Sequence, residues 1–119
     1  MKTLIASVAL LLILTVIIIG NVFYINQSTE EIRRLTESIT VSAEADAVNA
    51  LKEYWKKHKK YFALSVSYSS LDEICDLVIK IESAYKAGNS TALEKNKELL
   101  FDELIGITRF EKISLENIF

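Results

Sequence analysis

Proline is absent from this chain, and glycine occurs only at Gly20, Gly88 and Gly106. Tight β-hairpins draw on glycine for positive φ and on proline for a fixed one. Strands joined by short turns therefore have almost nowhere to form. Cysteine occurs once, at Cys75, which excludes an intramolecular disulfide, and histidine once, at His58. Two such residues without metal-ligand spacing do not make the converging donor set that a metal needs, and no cofactor is expected. Strong charge of either sign is missing too: 14 Lys and Arg stand against 16 Asp and Glu, a net charge of −2. Nucleic acid calls for a markedly basic surface and is not an expected partner. The most telling absence is local. From Thr3 to Thr29, 27 residues pass without a formal charge.

An apolar run fills that gap. Leu4 to Ile19 is interrupted only by Ser7 and Thr15. Leu4 to Ile25 supplies the roughly 20 apolar residues that a helix needs to cross a bilayer. A cleaved export signal has a shorter apolar stretch followed by a small-x-small site. Here Ile18-Ile19-Gly20 puts a bulky residue where a small one belongs, and no cysteine lies nearby. The expectation is an uncleaved anchor over residues 1–27 and a folded domain over residues 28–119. Lys2 precedes the run, and Glu30, Glu31, Arg33 and Arg34 follow it, so the basic bias across it is slight. A short leading end with no folded mass favours a cytoplasmic N-terminus and an extracytoplasmic domain in the cell membrane.

Leu, Ile, Ala, Glu and Lys dominate the rest, which suits helices. Ile25, Ile32, Leu35 and Ile39 keep helical spacing across the capping-box pattern Ser28-x-x-Glu31. The membrane helix is therefore expected to run on as a stalk to about Val41, with Ser42 and Asp46 as candidate starts of the next helix. Val48, Leu51, Trp55, His58 and Phe62 then lie on one helical face, widened by Ala47, Tyr54 and Tyr61. Lys52, Lys56, Lys57, Lys59 and Lys60 lie towards the other side, crowded at the end where cations suit the helix dipole. Serines at 65, 67, 69 and 70 mark a connector, and Ser70-x-x-Glu73 is a second capping box. Leu71, Ile74, Val78, Ile81 and Tyr85 form the next stripe, which Gly88 with Asn89 should close. Thr91-x-x-Glu94 should open a last helix with Leu93, Leu100, Leu104 and Ile107 on its apolar side. Gly106 inside it costs about 1 kcal/mol and marks a place to bend or fray. The expected fold is all-α: an N-terminal transmembrane helix followed by a small antiparallel bundle of two helical hairpins.

The closing run Ile113-Ser114-Leu115-Glu116-Asn117-Ile118-Phe119, after a Trp-Lys-x-His-Lys-Lys segment and an N-terminal anchor, resembles the bacterial domain of unknown function 4363 family of clostridia and related firmicutes. The resemblance implies a membrane location and a helical domain, and brings no activity or cofactor. Members of that family tend to show Asp-Trp where this chain has Asp46-Ala47, and a histidine where it has Ser67, Tyr68 and Ser69.

Each candidate residue has a plain reading and a sharper one. His58 is read as a core-edge histidine, and alternatively as a pH-sensitive packing switch with Trp55 beside it, since imidazole titrates near 6.5. Trp55, Tyr54, Tyr61 and Phe62 read as core, and alternatively, with Lys52 to Lys60, as a surface held against lipid headgroups. Lys56, Lys57, Lys59 and Lys60 read as a solvated face, and alternatively as a contact face. They could also answer the acidic stripe Glu94, Glu98 and Asp102, or Asp72 and Asp76, within one molecule or in a dimer. Like charges at such i, i+4 spacing repel by a few tenths of a kcal/mol. Ile113, Leu115, Asn117, Ile118 and Phe119 either fold back over the bundle or dock on a partner. No nucleophile elbow, phosphate loop or paired catalytic carboxylates are present, so no enzyme is expected. The functional expectation is a single-pass, membrane-anchored interaction protein of the bacterial envelope. Its partners are the lipid bilayer and another envelope protein or itself. A ligand- or pH-sensing module and a structural membrane-surface protein are the alternatives.

Overall fold

The structure is a computed structural model that describes residues 1–64 and 66–118, with side chains placed through Arg109. Among the described residues there are four helices and no strand: α1 (Lys2–Glu37), α2 (Ala45–Phe62), α3 (Tyr68–Lys86) and α4 (Ser90–Ile118). The molecule measures 67 × 23 × 20 Å. Its length comes from α1, which alone spans about 54 Å at the α-helical rise.

The capping pattern at Ser28 starts nothing, because α1 runs through it unbroken. Ser28 is buried inside the helix, and the Thr29 hydroxyl donates back to the Asn26 carbonyl at 2.9 Å. The hydroxyls of Ser7, Thr15 and Thr36 likewise donate to the carbonyls of Thr3, Leu11 and Ile32, four residues earlier. These four hydroxyls are thus satisfied by the helix's own backbone. α1 stops at Glu37, short of Val41.

The remaining helix ends fall a few residues from where the sequence pattern puts them. α2 is capped by Glu44 without a side-chain bond, so neither Ser42 nor Asp46 begins it. Asp46 lies in its first turn, where a carboxylate suits the helix dipole. α3 begins with Ser67, whose hydroxyl accepts from the Ser70 amide at 3.2 Å. Ser70 is therefore inside the first turn and does not act as its cap. Asn89 opens α4 by accepting from the Ala92 amide through Oδ1 at 3.0 Å, which leaves Thr91 within the helix. In α3 and α4 a side-chain oxygen two or three residues upstream of the expected cap satisfies an orphan N–H of the first turn. Gly88 does close α3. Its φ is +66°, its amide donates to Tyr85, and the Asn89 amide donates to Ala84, a Schellman arrangement. α4 passes Gly106 without a break.

The core takes Ile25 and Ile32 from α1, Leu51, Trp55 and Phe62 from α2, Ile74, Leu77 and Ile81 from α3, and Leu93 and Leu100 from α4. α1 packs on α2 and α4, and α3 packs on the same two. The later part of α1 is thus one of four helices around a single core. Up to Gly20, α1 lies outside that core and its large apolar side chains are exposed. The division expected at residue 27 falls inside this helix, with buried Ile25 on one side of it and buried Ser28 on the other.

Candidate functional site

The point where α1 enters the bundle carries the densest polar and aromatic contacts. Val48, Leu51, Trp55 and Phe62 turn one face of α2 inward, and this fixes His58 at the edge of that face, half-buried against α1. There the Tyr24 hydroxyl and His58 Nδ1 lie 2.7 Å apart, in hydrogen-bond contact. The imidazole stacks on Tyr54, ring centroids 4.2 Å apart, and Tyr24 meets Tyr61 and Phe62 edge-on at 6.1 and 6.4 Å. Burial, with the positive charge of Lys57 adding to it, pushes the His58 pKa below its ordinary value. One turn back, Trp55 is buried and its indole N–H donates to Cys75 Sγ at 3.1 Å. Cys75 is free and half-buried.

The lysines of α2 divide into two groups. Lys52 is ion-paired with Glu82 of α3, and this contact, reinforced by Lys86, holds the Glu82 carboxyl below the usual range. Lys56, Lys57, Lys59 and Lys60 are exposed and make no ion pair among the described residues. Lys56, Lys57 and Lys60 line an open groove of 660 Å³ with Glu31, Leu35 and Tyr54, between α1 and α2. The acidic stripe of α4 does not face these lysines within one molecule, because α2 and α4 sit on opposite corners and do not touch among the described residues. Glu94 instead meets Lys97 at 3.4 Å on its own helix, and Asp76 meets Lys80 at 2.8 Å on α3. Of the readings of the lysine face, pairing with the α4 stripe within one molecule is therefore not formed: helical periodicity places charges on a face, and only packing order decides which faces oppose.

Trp55 and His58 are brought together with Tyr54 as the spacing implies. Ile113, Leu115, Asn117 and Ile118 lie on the helical backbone of α4, but their side chains, and the whole of Phe119, lie outside the described residues. Among the described residues, no three His, Cys, Asp or Glu side chains converge as a metal site would require.

Sequence reasoning missed two residues. Tyr24 carries the contact to His58. Its signal was available: an amphipathic ring closing an apolar run is where membrane interfaces place tyrosine. Lys97 is 6% exposed, and its ammonium donates to the Ile39 carbonyl at 2.8 Å. Its signal was a lysine on the apolar face between Leu93 and Leu100.

Comparisons with protein families, curated proteins and solved structures find no match for this chain. Among the described residues, one helix, α1, is long and apolar enough to cross a membrane.

Proposed function

We propose that this chain is a single-pass, membrane-anchored accessory protein of the bacterial cell envelope. Its antiparallel helical bundle is a non-catalytic binding body that engages another envelope protein or a second copy. The observation that carries this reading is the double use of α1. One unbroken helix supplies both the exposed apolar run and the core residues Ile25, Ile32 and Thr36. A bundle grown onto its anchor in this way cannot swivel on a linker, and it presents its outer faces at a fixed height and tilt above the bilayer. The antiparallel run of α1 and α4 is supported by two contacts in opposite order along the helices: Lys97 meets Ile39, just past the end of α1, and Phe101, further along α4, lies against Arg33, further back on α1.

The N-terminus lies in the cytoplasm and the bundle outside in this reading. The test is alkaline extraction of membranes carrying the full chain, followed by protease treatment of sealed cells. Retention in the pellet with digestion of the bundle from outside is the expected result. Release by alkali removes the anchor, and protection from protease reverses the orientation. Crosslinking in native membranes, read by mass spectrometry, identifies the partner. A second reading, a pH-sensing module, is favoured by one observation: the only histidine is hydrogen-bonded to the anchor helix through Tyr24.

A further inference from the structure

The height of every residue above the apolar run is set by α1, because that helix joins the run to the bundle without a break. From Leu4 to Phe23 there are 20 residues, about 30 Å of helix, which matches the hydrocarbon thickness. Tyr24 follows directly. It touches His58 and meets Tyr61 and Phe62, so the end of α2 lies level with the top of the apolar run. The bundle's base therefore includes the last turn of α2 and the start of α3.

Among the described residues, that base carries the two most exposed large apolar or aromatic side chains of the bundle. Leu64 is 82% exposed and Tyr68 81% exposed, and Tyr61 is also open. Lys60 Nζ lies over the Tyr61 ring at 5.2 Å. Lys57 and Lys60, like Lys56 and Lys59 beside them, meet no carboxylate among the described residues, whereas Lys52 on the same helix is paired with Glu82. Uncovered apolar and aromatic side chains beside unpaired lysines are the composition of a surface that enters the headgroup layer.

We propose that Lys57, Lys60, Tyr61, Leu64 and Tyr68 form a second membrane contact, which seats the base of the bundle in the headgroup layer of the bilayer that α1 crosses and recognises anionic lipid there. The inference rests on the anchored reading above. The lysines meet lipid phosphates. The rings of Tyr61 and Tyr68 and the Leu64 side chain fill the boundary between headgroups and acyl chains. The bundle is then held at two points, and its upper faces are left free for a partner.

The test uses the full chain in a Cys75→Ser background, with one added cysteine carrying an environment-sensitive dye. Ser preserves an acceptor for the Trp55 N–H. The labelled sites are Leu12 in the apolar run, Ala63 beside Leu64, and Ser42 at the far end of the bundle. Vesicles are phosphatidylcholine alone or mixed with phosphatidylglycerol, and carry spin labels either deep in the acyl chains or on the headgroup. The expected result is deep quenching at Leu12, headgroup quenching at Ala63 in mixed vesicles, and neither at Ser42. Replacing Lys57 and Lys60 by Gln should lower the seated-to-lifted ratio at Ala63 by about fivefold per lysine, with quenching at Leu12 unchanged. Quenching at Leu12 with none at Ala63 overturns the second contact and leaves the anchor standing. Equal quenching at Ala63 in neutral and mixed vesicles overturns the recognition of anionic lipid. No quenching at Leu12 removes the anchor and the second contact together.

Discussion

Tyr24 and His58 are hydrogen-bonded at 2.7 Å across 34 residues of sequence, and the bond joins the helix that carries the apolar run to the helix that carries the lysines. It lies where α1 first enters the core, directly before buried Ile25. A contact at this position holds the foot of the bundle to the helix that carries the apolar run.

Its pH dependence follows from the direction of the His58 shift. Folding lowers the His58 pKa through burial and Lys57. The unfolded chain, titrating near 6.5, therefore takes up the proton first as the pH falls. Stability is full above about pH 7 and is lost as the pH drops through 6.5 towards the lower folded value. Thermal unfolding in detergent at stepped pH should show Tm falling across that window. His58→Gln should flatten the fall, and Tyr24→Phe should lower Tm at neutral pH while the wild-type slope is kept. A His58→Gln curve parallel to wild type would show that another group titrates there. Glu82 works in a separate, more acidic window: Lys52 lowers its pKa, so its contribution is lost only below the ordinary carboxylate range.

Lys97 should prove structural. Its ammonium is buried and donates to the Ile39 carbonyl just past the end of α1. Lys97→Met keeps the apolar stem and removes the donor, leaving that carbonyl unsatisfied, at a cost of about 1–3 kcal/mol. Denaturant unfolding of the full chain measures it. A change below a few tenths of a kcal/mol would mean that water replaces the ammonium.

The two glycines of the bundle should respond in opposite directions. Gly88 holds φ at +66°, where an L side chain is disfavoured by roughly 1–2 kcal/mol, so Gly88→Ala should destabilise by that amount. Gly106 lies inside α4, and an added Cβ would meet nothing within 4 Å. Gly106→Ala should therefore stabilise by about 0.5–1 kcal/mol. Paired melting curves decide both, and equal signs would contradict the backbone argument.

Ile32 tests whether the later half of α1 belongs to the folded unit. It is fully buried in the shared core. Ile32→Ala should cost about 2–5 kcal/mol in unfolding of α2–α4, followed through Trp55 fluorescence. An unchanged transition would make α1 a detached stalk.

Much of the architecture was legible because helical periodicity is a local property. The stripe from Val48 to Phe62, the stripe from Leu71 to Tyr85 and the glycine stop at Gly88 all stand where the pattern puts them. The caps slipped because Ser67 and Asn89 lie upstream and accept from the Ser70 and Ala92 amides, so each helix has already opened before Ser70 or Thr91, and the pattern Ser-x-x-Glu does not rank successive candidates. The candidate site was half legible. Trp55, His58 and Tyr54 share a face by spacing alone, but their partners Cys75 and Tyr24 come from other helices.

The sequence by itself determined four apolar stripes, an uncharged run long enough to cross a bilayer, and the crowding of lysines at one end of α2. These follow from which residues recur every three to four positions and from where charge is missing. Only the tertiary structure decided that the continuation of the apolar run packs into the bundle instead of standing as a stalk, that α2 and α4 stand on opposite corners, and that Tyr24 meets His58. Those relations depend on how faces pack around a common core, and burial of Ile25 and Ile32 against other helices is a property no single segment contains.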